Sequence, residues 1–589
     1  MITSLYLLTF ISLAILLTIL IWKSVDFSWL EKLSFWLVFS LPFERIPSLT
    51  LSSSNLRFSQ VLTFLGFYFL AILVIKKDKK ILETKFISAF FWLIGFIVLS
   101  IPSWFFVLDY NRFTTTWLAT LLAFGACFLV AHFAKLSSLK GLFVSLAIVS
   151  IFGIYQFLGD LVLGLPTFLT GLRPQYTKAV FGYPRVQATA IEPLYFAGML
   201  FWPMFLMILL LLNNLKFRDF WNFKNLGNQN EQTISLANNN LGNNLGNNST
   251  KLSQTTNLTK LTLNHISKHL SKSKIIQNLQ KLPNSKLFKK FNLNKIHHKI
   301  NLNWLFLIFF SLLFLLTFSK SGWLFFGVIT VLILVFYFYQ LTRKFFQKTL
   351  KITLVFGLIM GFLYLILPSF ASSLNGLARH FGEVLTGEAA TISERNEFLK
   401  MAWEILPSFS ILGIGSGQYG VWVKKSSEVE GFLIVNNVFV EVWLEFGFLA
   451  FLAFLAFLAT PVWQFFRDNQ LIKSWKKHFG ELFSLKPSTS LESLASSESL
   501  TTPSKTNLAK NPEIHQKDKK NLENEEEILI KNQRINSVLG QSLVFALLTY
   551  YLQWLSFSPI FINPIFILLG LLLAYLREKK MHNFRGISG

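Results

Sequence analysis

Apolar stretches of about 20 residues recur along most of this sequence, separated by shorter polar segments. A helix of that length matches the thickness of the hydrocarbon core of a bilayer. Soluble domains instead interrupt their apolar residues at the period of an amphipathic helix or strand. With 52% hydrophobic and only 14% charged residues, the chain is therefore predicted to be an all-α, polytopic integral membrane protein.

The sequence predicts about 13 membrane-spanning helices, because each crossing needs roughly 17–25 mainly apolar residues. Pro42 and the charged pair Glu44-Arg45 interrupt the second span, which is the weakest of the set. The eleventh span is longer than one crossing requires and leaves room for a surface helix at its end. The approximate limits are 4–22, 33–49, 58–75, 86–107, 114–134, 138–159, 191–213, 303–318, 322–341, 351–367, 436–464, 536–556 and 560–577.

Basic residues indicate how these spans are oriented. Lysine and arginine cluster at residues 76–85, between the third and fourth spans, and at 343–351, between the ninth and tenth. Cytoplasmic loops carry an excess of such residues, so both segments are predicted to be cytoplasmic. Counting spans from either cluster places the basic tail at Arg577 on the same side. Lys23 follows the first apolar run and no basic residue precedes it, so we expect an uncleaved first span, an exterior N-terminus and a cytoplasmic C-terminus.

This orientation divides the chain into five regions. Two of them are long cytoplasmic segments of low complexity whose composition predicts disorder, with a possible short helix at 517–527. One large loop, 368–435, lies on the exterior side together with the shorter loop 160–190. The regions are an N-terminal transmembrane bundle at 1–213, a basic cytoplasmic loop at 214–302, a core carrying the large exterior loop at 303–464, a second cytoplasmic loop at 465–535, and a C-terminal helical hairpin with a basic tail at 536–589.

Composition and motifs also exclude several classes of function. A net charge of +25 would suggest nucleic acid as the partner of a soluble protein, but here the basic residues lie in loops where they face anionic lipid headgroups. The single cysteine, Cys127, lies within an apolar span and supports neither a disulfide framework nor a cysteine metal site. The sequence has no zinc-like ligand spacing, no Walker-type loop and no Gly-x-Ser-x-Gly elbow. We therefore expect no cofactor and no metal.

Polar motifs concentrate on the exterior side. Arginine, carboxylate and amide groups are costly beside a bilayer, so segments that keep them there are candidate sites for a polar or anionic substrate. Two of them lie before the large loop and three within it or directly after it. They are Arg185 through Glu192-Pro193, Ser319-Lys320-Ser321-Gly322, Arg395 through Trp403, Gly413-Ile-Gly-Ser-Gly417, and Asn436-Asn437-Val-Phe-Val-Glu441-Val-Trp-Leu-Glu445-Phe-Gly447.

These motifs, in this order, resemble the signature of the O-antigen ligase and O-antigen polymerase family, over roughly residues 180–460. The resemblance implies a glycosyltransferase of a bacterial inner or plasma membrane that uses a polyprenyl-diphosphate-linked glycan as donor. Its other partners would be membrane lipids and a hydroxyl acceptor, which could be a glycan, a lipid or a protein. The apolar spans would form a groove for the polyprenyl tail.

The resemblance also implies roles for three basic residues. Arg185 and Arg395 match the family's two key arginines, whose planar guanidinium groups suit phosphate oxygens and would hold the diphosphate without a metal. Lys320 stands where the family has an arginine, so it keeps the charge but loses the bidentate fork. Two alternatives remain open: Arg185 could contact lipid phosphate, and Arg395 could form a surface ion pair with a neighbouring glutamate.

Trp403 lies eight residues after Arg395, just over two helical turns, so the two are expected on roughly one face of a helix and Trp403 joins the predicted substrate-binding set. Gly413, Gly415 and Gly417 could allow close approach of the backbone to a phosphate, or could form an ordinary turn. Glu441 and Glu445, one turn apart, are expected to be buried partners for the arginines or for a helix N-terminus.

Asn436 marks the departure from the family pattern, because the family has a histidine there that is proposed to assist the acceptor hydroxyl. Asparagine can orient a hydroxyl but cannot take its proton. Either orientation by Asn436 is sufficient, or another group supplies the base. Asn437, beside it, is expected to bind the substrate. His380, Glu383 and Glu388 lie in the same exterior loop, and each could be that base or could simply be solvated.

A flippase or solute transporter is the competing class of function, since the same arginines could bind an anion in transit. Transporters place broken helices and charges near the middle of the bilayer. The charges of this sequence lie at the ends of spans and in loops, which favours the enzyme.

Overall fold

The computed structural model describes residues 22, 25–43, 48–51, 54–84, 87–177, 183–223, 301–337, 390–426, 434–468, 512–556 and 563–585, with isolated positions between 354 and 379. Nearly all regular structure in these residues is helical, so the predicted helical class is confirmed. One short antiparallel hairpin was not predicted. Its strands, β1 (Ser48–Leu51) and β2 (Ser54–Arg57), pair Ser48 with Arg57 and Leu51 with Ser54.

The helices within residues 25–223 are mostly long and apolar. They are α1 (Phe27–Phe39), α2 (Phe58–Ile75), α3 (Lys79–Leu82), α4 (Ala89–Ser100), α5 (Tyr110–Phe133), α6 (Ser138–Leu161), α7 (Thr167–Thr170), α8 (Pro193–Leu212) and α9 (Phe217–Asn222), with 3-10 turns at Ile101–Phe106 and Pro174–Tyr176.

The later helices include both apolar and amphipathic segments. They are α10 (Leu302–Leu316), α11 (Lys320–Tyr337), α12 (Ala390–Phe409), α13 (Tyr419–Ser426), α14 (Val438–Phe446), α15 (Phe448–Asp468), α16 (Pro512–Gln553) and α17 (Asn563–Arg585).

Seven helices in the described part of the chain are long and apolar enough to cross a membrane, which confirms the polytopic prediction. α10 and α11 supply two shorter apolar helices at the predicted eighth and ninth spans. The predicted spans 4–22 and 351–367 lie almost entirely outside the described residues. The seven helical segments are Phe58–Ile75, Ala89–Phe106, Tyr110–Phe133, Ser138–Leu161, Pro193–Leu212, Phe448–Asp468 and Ile530–Gln553.

Three boundaries differ from the prediction. The second span, predicted at 33–49, is the 13-residue helix α1, which ends before Pro42 and is shorter than one crossing needs. The eleventh, predicted at 436–464, is divided at Gly447 into α14 and α15, because Gly447 has φ of 88° and its position in contact with the Ile411 carbonyl leaves no room for a Cβ. α16 is 42 residues long and begins within the segment predicted as the 465–535 loop.

α8 lies at the centre of the helical packing. Every residue of this helix except Ile208 is buried, although most residues of α2, whose mean hydropathy is the same, are not buried. It packs mainly against α16, while α17 packs against α5 and α15 against α4. The outer helices instead expose large apolar side chains, such as Phe64 of α2 at 69%. A helix buried on all sides with apolar exposure around it is the arrangement expected of a bundle in lipid.

Segments that were predicted to be cytoplasmic contact one another at one end of the bundle. The Arg577 guanidinium donates to the Ala134 carbonyl at 2.8 Å, at the C-terminal end of α5. Lys579 donates to the Asp468 carbonyl at 3.2 Å, at the end of α15. These contacts agree with the alternation of spans inferred from the basic clusters, and the segments predicted to be exterior meet one another at the other end.

Residues Lys216–Phe306 form a separate compact unit, and the other unit comprises Met1–Leu215 and Leu307–Gly589. In the smaller unit, the Lys216 N–H donates to the Asp219 carboxylate at 2.9 Å at the start of α9. The Phe217 and Phe306 rings pack with their centroids 4.7 Å apart. Of the predicted 214–302 loop, residues 224–300 lie outside the described part of the chain.

The topology yields a direct prediction. Reporters fused at Lys80, Asn240 or Lys486 are expected on the cytoplasmic side, and reporters at Lys178 or Gly387 on the exterior side. The reason is that all five basic segments, namely 76–85, 214–302, 343–351, 465–535 and the tail from Arg577, fall on one side when the predicted spans are counted. Paired phosphatase and fluorescent-protein fusions measure the side directly. An exterior signal at Asn240 would invert the assignment of the candidate site.

Candidate functional site

The residues that follow the last turn of α16 form the meeting point of the predicted exterior segments. The Val438 N–H donates to the Trp554 carbonyl at 3.0 Å. The Arg395 guanidinium donates through Nη1 to the Ser556 carbonyl, also at 3.0 Å. The start of α14 and the start of α12 are thereby held against one helix end.

Arg185 lies against the turn between α10 and α11. Its Nε and Nη2 atoms donate to the Thr317 and Phe318 carbonyls, each at 3.5 Å, and its guanidinium carbon lies 5.7 Å from the centre of the Tyr176 ring. Hydrogen bonds of this length are weak. The guanidinium is largely buried. Its hydrogen bonds are nevertheless weak enough for phosphate oxygens to replace them.

A strained backbone turn fixes the segment between Arg185 and α8. Ala188 has φ of 49°, a left-handed conformation that is rare for a residue with a Cβ. The buried side chain of Gln156 on α6 stabilises it twice: Nε2 donates to the Ala188 carbonyl at 3.1 Å and Oε1 accepts from the Ala188 N–H at 2.7 Å. The Thr189 hydroxyl donates to the Pro42 carbonyl. Gln156 thus anchors the loop on which Arg185 lies.

Charge of both signs is gathered at this end of the bundle. Burial lowers the pKa of Arg185, and repulsion from Arg395 adds to the effect, whereas Tyr176 and Glu192 oppose it. Burial likewise raises the pKa of Glu192, while Arg173, Arg185 and Arg395 oppose that rise. Arg185 and Arg395, predicted from distant parts of the sequence, are therefore close enough to repel each other. The guanidinium groups of Arg173, Arg185 and Arg395 thus all interact electrostatically with the Glu192 carboxylate.

Lys320 is the first residue of α11 and is half-buried. It follows directly on Phe318-Ser319, the turn whose Phe318 carbonyl faces Arg185, and Phe318 itself has φ of 48°. The buried Ser319 hydroxyl oxygen has no hydrogen-bond partner within the described residues. The structure thus brings Lys320 and Arg185 to one turn.

Arg395 and Trp403 lie on α12, as the spacing predicted, but they serve different contacts. Eight residues at 1.5 Å each separate them by about 12 Å along the helix axis. Trp403 is 48% exposed and packs edge-on against Trp443 of α14, with centroids 6.0 Å apart. Trp403 therefore lies away from Arg395 along α12 and packs against α14.

Asn436 and Asn437 have distinct local roles. The Asn437 side chain is the N-cap of α14, with its Oδ1 accepting from the Phe439 and Val440 N–H groups at 3.0 and 3.2 Å. Asn436 has φ of 60° and its Nδ2 donates to the Ile434 carbonyl at 3.3 Å. Asparagine and histidine tolerate this left-handed conformation better than most residues. His380, Glu383 and Glu388 lie outside the described residues.

Backbone hydrogen bonds hold the glycine motif in place. Its N–H groups therefore do not form a continuous set that is available to a phosphate. The Gly413, Ile414 and Gly415 N–H groups donate to the carbonyls of Phe409, Leu444 and Glu445. A Cβ at residue 413 would lie 2.5 Å from the Glu445 carbonyl oxygen, and all three glycines have positive φ. Of the two alternatives the sequence left open, these contacts support the turn.

The Glu445 side chain occupies the N-terminus of α13, a position where an anion could otherwise bind. Its carboxylate accepts from the Gly417 N–H at 2.8 Å and from the Tyr419 N–H at 3.3 Å, at the N-terminus of α13. Burial, with Glu441 one turn away, raises the pKa of Glu445 to about 8, while those N–H groups and Arg112 oppose the rise. The helix N-terminus, one of the two partners expected for this glutamate, is the one observed.

Several polar residues at this end were given no role by the sequence, although Glu192 lies in one of the predicted motifs. Glu192 precedes Pro193 at the start of α8, Gln156 lies within an apolar span, Gln553 ends α16 and Ser556 lies just beyond it. An ionisable or amide residue inside or bordering an apolar run is a functional signal in membrane proteins, and it could have identified Glu192 and Gln156. No signal in the sequence indicates that residues 553–556 form the meeting point.

Residues 305–455 match the family model described as O-antigen ligase. This part of the chain is similar to the O-antigen ligase family. The match contains Lys320, Arg395 and Asn436, and it supports a membrane glycosyltransferase-like function. Arg185 lies before the matched residues and reaches them through its contacts with Thr317 and Phe318. No curated protein matches the chain.

Glu445 predicts how stability depends on pH. Because its pKa is raised to about 8 from 4.5, the folded protein keeps a proton that the unfolded chain releases, so the associated stability is present below pH 4.5 and is lost as pH rises through about 8. The apparent melting temperature in detergent should fall over this range, and it should fall less in Glu445→Gln, which cannot titrate.

The matched control for this prediction is Glu404→Gln, since Glu404 is exposed on α12. It should follow the wild-type curve. A Glu445→Gln variant whose melting temperature falls as steeply with pH as that of the wild type would refute the role given to this carboxylate.

Proposed function

We propose that this protein transfers a glycan from a polyprenyl diphosphate to an acceptor hydroxyl at the exterior face of a bacterial inner membrane. One observation carries the proposal: Arg185, which donates to the Thr317 and Phe318 carbonyls, and Arg395, which donates to the Ser556 carbonyl, lie at the same end of an apolar bundle. Guanidinium groups gathered in this way repel one another unless an anion compensates their charge. A diphosphate beside a membrane is an anion of the required charge and position.

The arginines would act on the leaving group. As the bond between the anomeric carbon and the diphosphate oxygen breaks, negative charge grows on the diphosphate. Guanidinium groups placed beside that oxygen stabilise the transition state more than the bound donor. Because arginine is permanently charged, this stabilisation requires no metal. Lys320, at the same turn as Arg185, would add a point charge.

Exposed apolar side chains near the Lys320 turn could contact the lipid part of the donor. α10 and α11 flank the Lys320 turn and expose Leu312, Leu315 and Leu324 at 51%, 44% and 60%. Apolar side chains exposed on membrane-spanning helices face lipid. A polyprenyl tail could therefore remain in the bilayer along these helices while its diphosphate reaches the arginines. The charged groups lie at helix ends, whereas a transporter would place them near the midplane, and this favours transfer over transport.

Alanine at Arg185 or Arg395 should lower transfer roughly ten- to a hundredfold, because a charge-assisted hydrogen bond contributes about 1.5–3 kcal/mol. Lysine at either position should restore only part of the rate, since the fork is lost. The assay is release of lipid diphosphate in proteoliposomes that contain a polyprenyl-diphosphate-linked glycan and an acceptor.

Arg467→Ala is the matched control, because Arg467 is an exposed arginine near the end of α15, where it pairs with Asp468 at 3.0 Å. It should transfer at the wild-type rate. Normal transfer by both site variants would show that the proposed donor site is wrong, and glycolipid movement across the membrane without release would favour the transporter.

Asn436 supplies a second test. If its amide orients the acceptor, Asn436→His should keep or raise activity, while Asn436→Leu should lower it sharply. Because leucine also disfavours the φ of 60° at this position, Asn436→Gly is needed beside it: glycine accepts that backbone and removes only the amide. Initial transfer rates at saturating donor compare the three variants. Full activity in Asn436→Gly would exclude a role for this amide.

A further inference from the structure

Glu192 occupies the N-cap position of α8 without acting as a cap. Its backbone carbonyl accepts from the Tyr195 and Phe196 N–H groups, but its carboxylate makes no capping hydrogen bond. An N-cap carboxylate ordinarily accepts from one of the first N–H groups of its helix. The side chain of Glu192 instead interacts with the surrounding arginines, so it belongs to the site and not to the helix end.

The groups that face this carboxylate come from two parts of the chain. Arg173, Tyr176 and Arg185 lie in the segment between α6 and α8, and Arg395 lies on α12. Among the described residues, the Glu192 carboxylate makes no direct ion pair with these arginines and interacts with them through space. This arrangement leaves the carboxylate beside the predicted diphosphate position.

Two buried amides hold the backbone on either side of Glu192. Gln156 fixes the turn at Ala188, four residues before it. Gln553 donates through Nε2 to the Leu194 carbonyl at 3.4 Å, two residues after it. Within the described residues, the fully buried Oε1 atom of Gln553 has no hydrogen-bond partner. A polar atom buried without a partner beside this site is an acceptor that a sugar hydroxyl could satisfy.

The other candidates for a base within the described residues are occupied or distant, and His380, Glu383 and Glu388 lie outside those residues. Asn436 cannot take a proton at the pH of the exterior. Glu445 accepts from two N–H groups at the start of α13. Glu404 is exposed on α12, about two and a half turns beyond Arg395. Among the described residues, Glu192 is the carboxylate placed beside both key arginines.

We propose that Glu192 is the general base of the transfer, which deepens the function proposed above and rests on it. Its carboxylate takes the proton of the acceptor hydroxyl while the acceptor oxygen forms a bond to the anomeric carbon of the donor. The bond between that carbon and the diphosphate oxygen breaks, and its electron pair leaves with the polyprenyl diphosphate. Glu192 then releases its proton to water. Burial raises the pKa of Glu192, which makes it a stronger base than a solvated glutamate.

The test measures transfer in proteoliposomes over a range of pH for Glu192→Gln, Glu192→Asp and Glu404→Gln. Positioned general bases contribute about 10²–10⁴-fold, so Glu192→Gln should lower the rate at saturating substrate by that factor, with little change in the KM for the donor. Wild-type activity should fall as pH decreases through the pKa of Glu192, and this acidic limb should be absent in Glu192→Gln. Aspartate should restore part of the rate, and Glu404→Gln should behave as wild type.

Other results separate a failed base from a failed function. Release of lipid diphosphate by the wild type, together with a Glu192→Gln rate within about threefold of it, would overturn the base and leave the proposed function standing. A raised donor KM in Glu192→Gln with an unchanged acidic limb would also overturn it, because Glu192 would then only balance the charge of the arginines. If the wild-type protein releases no lipid diphosphate, both proposals fail.

Discussion

The hydrogen bond from the Val438 N–H to the Trp554 carbonyl joins two helix ends that are distant in sequence. At the edge of a bilayer, backbone groups must find partners in the protein or in the water above it. Residues 554–556, just past the end of α16, supply such partners to α14 and, through Ser556, to Arg395 on α12. Gln553 adds a contact to the start of α8. This one helix end thus positions α12, α14 and the start of α8, whereas Gln156 on α6 anchors the loop that carries Arg185.

The charge arrangement at this end is unfavourable for folding alone. Arg185 is largely buried, makes only 3.5 Å hydrogen bonds, and is repelled by Arg395. Removal of a charge from water is costly unless a partner of opposite sign compensates it, and Glu192 can balance only one of the three arginines near it. The fold therefore retains an excess of positive charge that an anionic substrate would stabilise. Binding of that substrate should in turn stabilise the fold.

Hydropathy predicted the spanning helices well, since the length of an apolar run is set by the bilayer; the bounds of α2 match the predicted 58–75 span. It could not locate the break at Gly447, because that break depends on contact with the Ile411 carbonyl, a tertiary feature. The glycine motif was ambiguous for the same reason. Its N–H groups look available in sequence, but Glu445 and the carbonyls beside it already accept from them. Individual arginines were predictable from charge on the exterior side, but their proximity to Glu192 was not.

The asparagine at position 436 and the carboxylate of Glu192 have a common explanation. Position 436 requires a residue that tolerates φ of 60° and that can hydrogen-bond, and asparagine meets both requirements without titrating. A histidine there would add a base to the same loop. Where a buried glutamate beside the arginines takes the proton, that second base is superfluous, and the residue before α14 needs only to orient the acceptor. The departure from the family pattern at Asn436 is then the counterpart of a base at the N-terminus of α8, a helix outside the matched residues.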